Sequence, residues 1–173
     1  MAPTTLSKRV HIVGRKNHGK TTLLCELTEF LTERGYRVGT IKHTHHQHEL
    51  DLPGKDSHRH RVAGGSPAGI LSRTTSALFW DVDPEEDHDR YAPFAPMFAD
   101  CDVVLVEGDQ MTNAPRIEVW RREVADQPLC ATDASIRFLV TNDRPPGDVR
   151  TIARDDLPQI ARAVIALAGA RPQ

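Results

Sequence analysis

Arg9-Val10-His11-Ile12-Val13-Gly14-Arg15-Lys16-Asn17-His18-Gly19-Lys20-Thr21-Thr22 is the stretch that decides the fold. Its first five residues are largely apolar, as expected of a strand buried in a parallel sheet. Gly14 opens a turn. From residue 20 to residue 34 the apolar side chains of Leu23, Leu24, Leu27, Phe30 and Leu31 recur at helical spacing, and Gly35 stops the helix. Residues 37–41 read as a second strand. Strand, glycine turn, helix and strand make a βαβ unit, whose crossover implies parallel pairing.

The turn between strand and helix carries chemistry. Gly14, Gly19, Lys20 and Thr21 fill every fixed position of the P-loop pattern G-x-x-x-x-G-K-[ST]. Glycines let backbone N–H groups curl round phosphate oxygens, and the helix N-terminus adds free donors. The candidate phosphate-binding residues are therefore Gly14, Arg15, Lys16, Asn17, His18, Gly19, Lys20, Thr21 and Thr22. Lys20 would reach the β- and γ-phosphates as a catalytic residue, and the Thr21 hydroxyl would ligate Mg²⁺. His18 would contact a phosphate or face solvent.

The pattern needs an acid for its magnesium. Residues 102–106 form an apolar strand, and Glu107 ends it in the place of a Walker B-type carboxylate. Asp51 and Asp56 follow the second strand, where a switch residue would sit; a solvated carboxylate, or for Asp56 a helix N-cap, reads equally well. Thr141-Asn142-Asp143 follows the strand at residues 136–140. Asp143 can accept both guanine N1–H and N2–H, donors that adenine lacks. A turn before Pro145-Pro146-Gly147 explains the same Asn142-Asp143 pair.

The remaining chain reads as one α/β domain over residues 1–173, with residues 1–7 as a loose leader. Short β-runs at 68–72 and 76–80 suggest a hairpin insertion, and a short helix fits 56–63. Residues 91–99 are weakly helical because Pro93 and Pro96 interrupt them. A strand is expected at 116–120. A final amphipathic helix spans 157–168, with Asp155 or Asp156 as N-cap. Cys25, Cys101 and Cys130 are too scattered for a disulfide framework or a thiolate zinc site, and read as small residues in or near the core.

Composition narrows the function. Of 173 residues, 22 are Lys or Arg and 24 Asp or Glu, a net charge of -2, which argues against holding nucleic acid or a membrane surface by bulk charge. No window approaches the ~20 apolar residues of a membrane span. With no secretory leader evident, a cytoplasmic location is expected. His43, His45, His46 and His48 form a cluster that suits either a transition metal or a polar active-site loop.

Seven segments together resemble the MobB family of molybdopterin-guanine dinucleotide biosynthesis. They are residues 14–24, Gly-Thr-Ile-Lys-His at 39–43, Asp-Leu-Pro-Gly-Lys-Asp-Ser at 51–57, Ala-Gly-Gly at 63–65, Val-Val-Leu-Val-Glu-Gly at 103–108, Pro-Arg-Ile-Glu-Val at 115–119 and the last helix. The resemblance implies a P-loop, mostly parallel sheet flanked by helices. It implies a Mg-dependent, weakly hydrolytic, dimeric GTP-binding accessory protein acting with the guanylyltransferase that joins GMP to molybdopterin. It makes Thr21 a magnesium ligand and Glu107 the Walker B-like acid, and lines the active face with Lys42-His43 and residues 51–57; Asp51 is the further metal candidate by its position after the second strand. Where relatives commonly carry an aromatic or apolar residue and Lys after Val-Glu-Gly, this chain has Asp109-Gln110. Two other readings fit the phosphate loop: a small-metabolite kinase using Arg59, Arg61 or Arg73, and a nucleotide-gated metal chaperone using the histidine cluster.

Overall fold

Six strands build one sheet. They are β1 (Arg9–Val13), β2 (Val38–Lys42), β5 (Val103–Glu107), β6 (Arg116–Val119), β7 (Ile136–Val140) and β8 (Thr151–Ile152), in the order β2-β5-β1-β6-β7-β8. Every neighbouring pair is parallel. The computed structural model describes residues 5–44, 51–82 and 89–170. These fall into two units, one from residues 1–44 with 89–173 and one from residues 45–88.

In the first unit, α1 (Lys20–Thr32) and α3 (Leu157–Ala168) cover one face of the sheet. Val10 and Ile12 of β1 pack there with Leu23, Leu27 and Leu31 of α1 and with Ile160 and Val164 of α3. The stripe expected for α1 is therefore its buried face, with Leu24 and Phe30 at the margin. Gly35, at φ 84, ends the helix, and the Tyr36 N–H bonds back to the Leu31 carbonyl at 3.1 Å. Asp156 caps α3 by accepting the Gln159 N–H at 3.0 Å. The opposite face holds a smaller cluster of Leu6, Tyr91, Ala95, Val104 and Val106. His11 is fully buried beside Tyr91, ring centroids 5.2 Å apart and edge to face.

The second unit contains α2 (Asp56–Val62) and an antiparallel hairpin of β3 (Ala68–Leu71) and β4 (Ser76–Phe79). The Ser72 hydroxyl organises the loop by accepting the Thr75 N–H at 3.0 Å. Val62, Leu71 and Leu52 are 76 %, 89 % and 68 % exposed.

Two expectations need correction, and one strand is added. Residues 91–99 hold only a single 3-10 turn, Ala92–Phe94, because Pro93 has no N–H to continue a helix. Cys25 is exposed, since position 25 lies off the stripe of Leu23, Leu27 and Leu31. β8 was not foreseen; it is two residues long and has no legible alternation. No helix among the described residues is long and apolar enough to cross a membrane.

Candidate nucleotide site

The connection leaving β1 runs toward β2 on one side of the sheet, whereas that leaving β6 runs toward β7 on the other. Ligands of open parallel sheets bind outside the strand C-termini at such a reversal. The glycine loop leaves β1 here. Gly14 adopts φ 137, Asn17 φ 68 and Gly19 φ 91. A Cβ on Gly14 would sit 2.5 Å from the Val119 carbonyl oxygen, so only glycine lets the loop pass the end of β6.

Lys20 folds back across the loop and donates to the Arg15 carbonyl at 2.8 Å. Burial lowers the Lys20 pKa from its ordinary value; Glu107 opposes the shift and Lys42 adds to it. The Thr21 hydroxyl donates to Glu107 Oε2 at 3.0 Å. The other Glu107 oxygen, Oε1, pairs with the Lys42 ammonium. Register explains this convergence, for Glu107 stands opposite both Ile12 of β1 and Lys42 of β2. Lys20, Thr21 and Glu107, which the sequence nominated separately, thus meet at one place. The Lys42 contact with the acid was not foreseen, because it depends on β2 pairing with β5.

His18 does not face solvent, which corrects that half of the expectation. It is 1 % exposed, and its Nδ1 accepts the Arg121 main-chain N–H at 2.9 Å. The proton then resides on Nε2, which is buried without a partner among the described residues. Such an orphaned donor costs about 1–3 kcal/mol. Burial, with the charges of Lys20, Arg15 and Arg121, pushes the His18 pKa down, the direction that favours the neutral ring an accepting Nδ1 requires.

Asn142 and Asp143 lie beyond β7 and line a cavity of about 300 Å³ with Trp120, Arg121, Glu123 and Arg154. Asp143 Oδ2 accepts the Arg122 N–H at 2.8 Å. Asn142 Oδ1 accepts the Arg154 N–H at 2.8 Å. The pair therefore ties the loops after β6, β7 and β8 together and also forms the cavity wall, so both readings of it draw on real contacts. Arg121 was not singled out from sequence, yet its guanidinium lies 3.2 Å from where a Gly19 Cβ would stand.

Asp51 belongs to the second unit. It is 4 % exposed, accepts the Ser57 hydroxyl at 2.8 Å and stands 4.0 Å from Arg61. Arg61 also approaches Asp81, at 4.0 Å, and lies over the Phe79 ring. Asp109, the departure from the resembled pattern, turns inward at φ 58 and accepts the Tyr91 hydroxyl at 2.8 Å. His45, His46 and His48 lie outside the described residues. Among the described residues no three His, Cys, Asp or Glu side chains group as metal ligands.

Residues 9–142 match the family described as MobB, molybdopterin guanine dinucleotide synthesis protein B. A molybdopterin-guanine dinucleotide biosynthesis adapter protein of Escherichia coli (strain K12) is 35% identical over 129 residues, 74% of this chain and 74% of that protein. An adapter protein of the same description from Haemophilus influenzae is 33% identical over 150 residues, 87% of this chain and 83% of the relative. A crystal structure of molybdopterin-guanine biosynthesis protein B superposes with TM-score 0.67 at 27% identity, covering 93% of this chain and 99% of that one. Bacillus subtilis MobB shares the fold, with TM-score 0.69 at 20% identity. A phosphate-type loop on a six-stranded parallel sheet, together with these likenesses, places the chain in the MobB family.

Proposed function

We propose that this chain is a guanine-nucleotide-binding adapter in molybdopterin guanine dinucleotide synthesis, binding GTP with Mg²⁺ and acting with a guanylyltransferase. The observation that carries the reading is the meeting of Lys20, Thr21, Glu107 and Lys42 at the mouth of the glycine loop. Lysine ammonium, loop N–H groups and a helix N-terminus are the recurring complement to a triphosphate.

The donor set suits magnesium. Mg²⁺ takes oxygen ligands, one or two from protein, and fills its octahedron with phosphate and water. Thr21 Oγ1 and Glu107 Oε2, 3.0 Å apart, supply a hydroxyl and a carboxylate oxygen. A bound Mg²⁺ would neutralise phosphate charge. Thr21 and Glu107 are the pair whose contact carries the magnesium reading; Asp51, also nominated, accepts the Ser57 hydroxyl within the second unit. Asp143 is the group proposed to select guanine, through the carboxylate oxygen not accepting from Arg122. Hydrolysis without a partner would be slow, about 10⁻⁴–10⁻² per second for unassisted P-loop GTPases. The exposed Val62, Leu71 and Leu52 of the second unit support a contact with a second copy or with the transferase.

Calorimetric titration with GTP and with ATP, each with Mg²⁺, tests the reading, with Lys20→Ala as control. GTP should bind in preference to ATP, and Lys20→Ala should abolish binding of both while remaining folded by circular dichroism. Equal affinity for ATP would remove the guanine assignment and bring the metabolite-kinase reading forward.

A further inference from the structure

We propose that Arg121 forms a stacking wall for the purine base and that His18 is its positioning residue, an inference resting on the nucleotide reading above. Arg121 follows β6 at the point where the glycine loop and the 300 Å³ cavity meet. Its guanidinium lies across Gly19, and the same side chain lines the cavity with Asn142 and Asp143. It is therefore placed at the boundary between a phosphate site and a base-sized space.

Its chemistry suits a flat ring. A guanidinium is planar, weakly hydrated and stacks on aromatic faces. The ion pair of Arg121 among the described residues, with Glu123 at 3.6 Å, is a solvent-facing one between a half-exposed and an exposed side chain, and such a pair is weak enough for the guanidinium to leave. The neighbouring Trp120 cannot supply the surface. It is 1 % exposed and its indole N–H is bound to the Ala125 carbonyl at 2.9 Å. The phosphates already have Lys20 and the loop.

His18 holds this arrangement. Its imidazole fixes the Arg121 main chain at 2.9 Å, while its other nitrogen is buried with no partner among the described residues. A side chain that leaves a polar atom orphaned is poorly explained by stability. It is well explained by the register it imposes between the loop after β1 and the residue after β6.

The test is titration of the whole chain with Mg-GTP and, separately, with inorganic tripolyphosphate. Arg121→Ala and Arg121→Lys should each weaken GTP on the order of tenfold, between the sizes of an exposed and a desolvated cation–π contact, with tripolyphosphate little changed. His18→Ala should weaken GTP similarly. His18→Asn, whose side-chain oxygen can replace Nδ1 as acceptor, should restore it. His18→Ala and Arg121→Ala combined should lose less than the sum of the two. Three results would overturn the inference while leaving nucleotide binding intact: unaltered GTP affinity in Arg121→Ala, full function in Arg121→Lys, or GTP and tripolyphosphate weakening together. Wild-type protein that binds neither ligand would instead remove the nucleotide reading itself.

Discussion

Lowering the pH should unload a measurable part of the stability through one histidine. His11 sits in the middle of β1 with no exposed surface, against the edge of Tyr91. Its Nδ1–H donates to the Gly108 carbonyl at 3.3 Å, and Nε2 has no partner among the described residues. Burial lowers its pKa from 6.5 to about 4, against the smaller opposing pulls of the Gly108 carbonyl and Asp109. The unfolded chain therefore binds the proton first, so stability falls as pH drops through 6.5 and keeps falling until the folded ring protonates near 4. At about 1.4 kcal/mol per pKa unit, roughly 2 kcal/mol is lost by pH 5 and about 3 kcal/mol by pH 4. That is a large share of the ~5–15 kcal/mol that holds a typical domain. Urea unfolding at pH 7 and pH 5 measures it, in wild type and in His11→Asn, whose amide can still donate to Gly108 but does not titrate. His18 adds to the wild-type slope in the same direction, so the difference between the two proteins isolates His11. An identical pH slope in both, or a proton NMR midpoint for His11 near 6.5, would refute the reasoning.

Gly14→Ala places a methyl group on the Val119 carbonyl and keeps φ at 137, so it should destabilise by about 2 kcal/mol or more, read as a lower urea midpoint with unchanged slope. Glu118 is 1 % exposed and its two oxygens accept the Leu129 and Cys130 N–H groups at 2.7 and 2.9 Å. Glu118→Gln replaces one acceptor by a donor and should cost about 1–3 kcal/mol in the same assay. Asp156→Ala removes the cap of α3 and should cost about 1 kcal/mol, most visible as faster amide exchange at Gln159.

What the sequence disclosed was local, and what it withheld was strand order. The glycine loop, the α1 stripe and the Asp156 cap are patterns of neighbours within a few residues, so they could be read directly. α3 lies where its apolar spacing and its capping acid put it. Lys42 on Glu107 and Arg121 on Gly19 depend on β5 lying between β2 and β1, and on β6 lying beside β1. Nothing in residues 37–42 or 116–121 announces those neighbours. His18 was misread for the same reason, because its partner is more than a hundred positions away in sequence. Cys25 is different: its place off the stripe of Leu23, Leu27 and Leu31 was available from helical periodicity and shows that the cysteines are not alike.

The Lys42–Glu107 ion pair bears on the order in which the site fills. A carboxylate with its own ammonium counter-ion needs no resident cation to keep the fold electrically balanced. On the proposed nucleotide reading magnesium would compete with that lysine, so the ion would arrive carried by the nucleotide phosphates rather than wait for them. Chelator treatment should then leave the empty protein's melting temperature unmoved. On that reading Lys42, displaced from Glu107, would stand as a positive charge at the rim of the site.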